Sequence, residues 1–142
     1  MIYKFGEVTV EIDCDETKLF YSKRNGISPF SDEETNYFLA INEPDNTDLE
    51  ILRKLGIDPA KVGRVSFLGK ANTSCVLYEI TVLAVGKPVS DLKRNEVYIP
   101  AKIGEMSACI RSNTHEFYNH DLPLPKPALE LTYVQKLRWL ME

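Results

Sequence analysis

At 142 residues, with 44% apolar and 27% charged side chains, the chain is long enough for one sizeable core and too apolar for a disordered protein. No apolar run reaches a membrane span, and the start Met1-Ile2-Tyr3-Lys4-Phe5-Gly6 lacks the apolar stretch and cleavage site of a secretory signal, so one cytoplasmic domain over residues 1–142 is expected. The net charge of −4 is uneven: thirteen acids face six bases in residues 1–60, and eight face eleven in residues 61–142, a concentration of acid that would repel nucleic acid phosphates.

Val8, Val10 and Ile12 alternate with Glu7, Thr9, Glu11 and Asp13, the period of a strand with one wet face. Asp13 to Thr17 supplies turn chemistry, and Lys18-Leu19-Phe20-Tyr21-Ser22 is expected to return as the hairpin partner before the Asn25-Gly26 turn. Ser31 followed by Glu34 has the capping-box spacing and predicts a short helix over 32–41. After Thr47, acids early, bases late and Gly56 just beyond predict a second helix over 48–55. Asp58-Pro59-Ala60-Lys61 reads as a capped helical turn.

Arg64–Leu68 and Ser74–Val85 read as the two strands of a hairpin. With only Glu79 and Thr81 polar between Cys75 and Val85, the second should be the central, most buried strand. Glu96–Ile99 is a further strand, expected to stop at Pro100, while residues 103–111 fit a strand or a short helix equally well. Residues 115–126, with Asn119, Pro123 and Pro125, read as a surface loop. Leu129, Tyr133, Leu137 and Leu140 fall at helical spacing, so 127–142 is expected to form a helix over the sheet, with Trp139 and Met141 as surplus apolar area. The expected fold class is therefore α+β: a mostly antiparallel sheet of about five to six strands with helices packed on one face, including an amphipathic C-terminal helix.

Cys14, Cys75 and Cys109 are odd in number and show no CxxC spacing, so they read as free thiols and small apolar side chains in a reducing compartment. His115 and His120 stand five apart rather than the four that would put two imidazoles on one helix face. No glycine-rich phosphate loop occurs, and the one basic cluster, Lys93-Arg94 near Tyr98, is small; neither a cofactor, a metal nor a nucleic acid partner is expected.

Two functions fit these residues. The first is a binding module that occupies a basic protein partner, in the manner of immunity, antitoxin and inhibitor proteins. Asp32, Glu33, Glu34, Asp45 and Asp48 would steer the encounter, and Tyr37 and Phe38 would supply anchor area. The alternative is a small hydrolase with Cys75 or Cys109 as nucleophile, His115 or His120 as base and Asp121 to orient it, or with a metal held by the same imidazoles. An apolar setting raises a thiol pKa, which weighs against the second.

Overall fold

Gly6, at φ +65°, turns Ile2–Phe5 (β1) back onto Val8–Ile12 (β2), with Phe5 opposite Val8. Positive φ at only the first central residue is the type II′ geometry that matches strand twist. The expected alternation holds, since Val8, Val10 and Ile12 are all buried. The partner strand lies upstream of β2, not downstream, because Cys14–Ser22 is a helix (α1). Asp13 caps it by accepting from the Glu16 N–H at 3.0 Å, so the acids of this segment start a helix instead of a hairpin turn.

The computed structural model describes residues 1–23, 28–43, 46–89, 99–113 and 127–141. Asp32–Ala40 (α2) starts as expected: Ser31 Oγ accepts from the Glu34 N–H, and Glu34 Oε1 reaches back to the Phe30 N–H, both at 3.2 Å. Asp48–Lys54 (α3) ends at Gly56, whose φ of +91° supplies the left-handed stop. Asp58 caps the 3₁₀ turn Pro59–Lys61 through the Ala60 N–H.

The remaining elements are strands: Arg64–Lys70 (β3), Cys75–Pro88 (β4), Ile99–Ile103 (β5), Met106–Asn113 (β6) and Ala128–Arg138 (β7). All pairings are antiparallel, in the order β1-β2-β4-β7-β6-β5, with β3 also on β4. Seven strands among the described residues thus replace the five or six expected, and the expected C-terminal amphipathic helix is strand β7. Its inward side chains are Leu129, Leu131, Tyr133, Gln135 and Leu137, a period of two. Leu129, Tyr133 and Leu137 stand four apart, a spacing that satisfies both periods, and sheet pairing on both edges decides between them. Residues 106–113 resolve as a strand. Pro100 lies within β5, opposite Cys109, rather than ending a strand; β5 hydrogen-bonds only β6 among the described residues, so the missing N–H costs no pairing.

Strand β4 is central, as expected, and shares one edge among three elements. Thr81 and earlier residues pair with β3, and Gly86 to Pro88 pair with β2. Between them α1 stands in for a strand: Tyr21 Oη donates to the Leu83 carbonyl at 2.6 Å and accepts from its N–H at 3.0 Å. Thr17 Oγ1 accepts from the Val85 N–H at 2.9 Å, and the Asp13 N–H donates to the Val85 carbonyl at 2.8 Å. Every backbone group along this stretch is thereby satisfied, as burial requires.

The inward face of the sheet and the helices share one apolar cluster running from Phe5 to Leu137. On the outer face Glu130, fully buried, meets Arg111 directly across β6 and β7 at 2.9 and 3.4 Å, and the Thr81 and Thr132 hydroxyls lie 3.1 Å apart. Among the described residues, no helix is long and apolar enough to cross a membrane.

Candidate functional site

Helix α2 is hydrogen-bonded to β4 and to the end of β7, where partly exposed apolar side chains gather. Asn36, fully buried on α2, donates to Tyr78 Oη at 3.1 Å and to the Arg138 carbonyl at 3.0 Å, and accepts from the Leu140 N–H at 2.6 Å. Tyr78 Oη in turn donates to the Glu33 carbonyl at 2.6 Å. These bonds fasten the end of β7 and its following residues, Trp139 and Leu140, against the first turn of α2. Phe67 on β3 joins the same place, its ring 5.7 Å from that of Tyr78 and 6.4 Å from that of Trp139. Burial pushes the Tyr78 phenol pKa up, the Asn36 hydrogen bond opposes this, and the nearby Glu33 carboxylate adds to it. Tyr78 is therefore a neutral brace at any ordinary pH.

Asp32, Glu33 and Glu34 share the first turn of α2, the turn whose Glu33 carbonyl bonds Tyr78, and Phe67 packs on the Tyr78 ring. Phe67 is 42% exposed and Leu140 37%, while Phe30, which leads into α2, is 90% exposed.

The structure divides the predicted site residues. Asp32, Glu33 and Glu34 share the first turn of α2. Tyr37, expected as an anchor, is fully buried and donates its hydroxyl to the Pro59 carbonyl at 2.7 Å, so no partner can cover it. Its neighbour Phe38 is half-buried against the core. Asp48 stands apart from the α2 acids, at the start of α3, where Oδ1 accepts from the Glu105 N–H of the β5–β6 turn at 3.3 Å. Glu43 is engaged by Arg138 at 2.9 Å. Asp45 lies outside the described residues.

The hydrolase candidates fare differently. Cys75 begins β4 opposite Arg138, and Cys109 sits on β6 opposite Thr132. Strand β7 separates them, and their β7 partners are six residues apart, so they stand about 20 Å from one another and belong to no common site. His115, His120 and Asp121 lie outside the described residues. No group of three His, Cys, Asp or Glu suited to a metal occurs among the described residues.

Sequence reasoning missed Phe67, Leu140 and the bracing role of Asn36. The available signal was the surplus of apolar side chains at Trp139 and beyond, more than one buried face could use. No protein-family model matches the chain, and neither the curated proteins nor the solved structures include one significantly similar to it.

Proposed function

We propose that this protein is a cytoplasmic protein-binding module whose partner is basic, acting by occupancy as an inhibitor or immunity-type protein does. The observation that carries the reading is the hydrogen-bonded attachment of α2, whose first turn holds Asp32, Glu33 and Glu34, to Tyr78 and the end of β7, where the partly exposed Phe67, Trp139 and Leu140 gather. Carboxylates at the edge raise encounter rates with a basic surface, and the rings supply apolar area that slows dissociation once covered. The Asn36 and Tyr78 bonds hold the face rigid beforehand, so little ordering is required on binding. Three free thiols fit a reducing compartment.

The test uses the whole chain, immobilised, against soluble protein from its native host, with the captured partner then purified for kinetics. Glu33→Lys with Glu34→Lys should lower the association rate about tenfold or more at low salt, and the loss should shrink as salt rises. Phe67→Ala should instead accelerate dissociation about tenfold. Glu79→Lys, on the outer face of β4, should change either rate far less. A partner whose rates ignore both the Glu33→Lys/Glu34→Lys pair and Phe67→Ala, as they should Glu79→Lys, would dismiss the reading.

A further inference from the structure

A second feature of the molecule points to a ligand independently of that face. The start of α1 and the stop of α3 approach so closely that Gly56 has no room for a side chain. A Cβ there would stand 2.5 Å from the Cys14 carbonyl oxygen and 2.9 Å from the Lys18 nitrogen. Beside this contact lies a cleft of about 570 Å³, within the range of small-ligand sites. Its base is apolar and buried, formed by Tyr21, Ile57 and Pro59. The base is also fixed in advance: Tyr21 Oη bonds both backbone groups of Leu83, and the Pro59 carbonyl accepts from Tyr37.

Four cations border the cleft, Lys18 from α1, Arg53 and Lys54 from the last turn of α3 and Lys61 from the 3₁₀ turn, against two carboxylates, Asp15 and Asp58. Lys18, Arg53 and Lys54 are half of the six basic residues in the otherwise acidic positions 1–60. The dipole of α3 accounts for Arg53 and Lys54, but not for Lys18 and Lys61, which other elements bring to the same place. Arg53 is already paired with Glu50 at 2.6 Å, and Asp58 Oδ1 accepts from the Ala60 N–H at 2.9 Å. Lys61 Nζ donates to the Tyr21 carbonyl at 3.1 Å, which draws it across from the 3₁₀ turn toward α1. Among the described residues Lys18, Lys54 and Asp15 form no ion pair. Three ammoniums gathered in one cleft repel one another, and a doubly charged anion between them offsets that repulsion.

We propose that this cleft binds the phosphate ester of a small polyol. The dianionic phosphate lies among the ammoniums of Lys18, Lys54 and Lys61, the hydroxyls donate to the carboxylates of Asp15 and Asp58, and the carbon chain rests on Ile57 and Pro59. A bare dianion uses the ammoniums alone and is repelled by the carboxylates. A phosphorylated alkyl chain leaves those carboxylates without a donor. Only a ligand with phosphate at one end and hydroxyls at the other gives each kind of lining group a partner.

The experiment follows the backbone amides of the whole chain by NMR while glycerol 3-phosphate, propyl phosphate or sulfate is added at constant ionic strength. Glycerol 3-phosphate should give saturable shifts at Lys18, Lys54, Gly56 and Ile57 with an affinity on the order of 0.1 mM, and the other two should bind about tenfold more weakly. Lys18→Met and Lys54→Met, at exposed positions that hold nothing else in the fold, should each weaken glycerol 3-phosphate about fivefold. Lys70→Met, equally exposed on β3, should leave it unchanged. Asp15→Ala should erase the preference for glycerol 3-phosphate over propyl phosphate while sulfate binds no more weakly than before. The proposal is overturned by an absence of saturable shifts at these amides, by equal affinity for propyl phosphate or sulfate, by a preference that survives Asp15→Ala, or by Lys70→Met acting as strongly as Lys18→Met. Tighter association with phosphatidate vesicles than with glycerol 3-phosphate would move the phosphate to a membrane surface and overturn it as well.

Discussion

Two buried tyrosines in one core have hydroxyls with different fates. Tyr37 donates to the Pro59 carbonyl at 2.7 Å, whereas the Tyr133 hydroxyl, directed toward the Tyr37 oxygen as a donor, makes no hydrogen bond of good geometry. Burial raises both phenol pKa values far above 10. Below pH 10 the folded and unfolded chains both keep these protons; above it only the unfolded chain releases them, so stability falls as pH rises. Each phenol contributes a slope of about 1.4 kcal/mol per pH unit from pH 10 upward. Tyr133→Phe should therefore be neutral or stabilising at pH 7 and should flatten the alkaline slope, while Tyr37→Phe should cost about 1–2 kcal/mol at pH 7. Denaturant unfolding at pH 7 and pH 11 checks both. A Tyr133→Phe protein weakened at pH 7 would mean that the hydroxyl has a donor or acceptor after all.

At the scale of elements, α1 takes the place of a missing piece of strand. Tyr21→Phe removes the group that serves both the N–H and the carbonyl of Leu83, and it should cost about 2–4 kcal/mol, seen as a lower denaturant midpoint at unchanged slope. Leu19→Ala on the exposed side of the same helix should stay within about 0.5 kcal/mol. This helix is also where sequence reading failed, and the cause is instructive. Asp13 with Glu16 has the spacing of a helix cap, but acids beside a strand end read equally well as a turn, and only the empty stretch of β4 edge decides the matter. The Ser31 cap, the Gly56 stop and the β3–β4 hairpin were legible because each depends on neighbours in sequence. The strand nature of β7 was not, because side chains four apart face the same way in both conformations and the partners lie at residues 75–85 and 108–113. For the same reason the acids of the first turn of α2 could be named from sequence, while Phe67 and Leu140, brought there from β3 and from the segment after β7, could not.

For the molecule as a whole, one apolar cluster draws on every described strand except β3 and on all three helices. Val65 of β3 packs against the same cluster. Unfolding is accordingly expected to be a single transition, with far-ultraviolet circular dichroism and tryptophan fluorescence coincident along a denaturant series. Separate midpoints for Trp139 fluorescence and for backbone signal would show that the end of β7 detaches on its own. The edge of β4 offers a finer reading of the same cooperativity. The Leu83 and Val85 amide protons are held by side chains of α1, not by a neighbouring backbone. In deuterated solvent these two should exchange whenever α1 lifts away, while amides between β4 and β7 remain protected until the sheet itself separates. A pair of protons within the most buried strand would thus report the undocking of a surface helix, and their protection relative to the rest of β4 measures how firmly the N-terminal segment is seated.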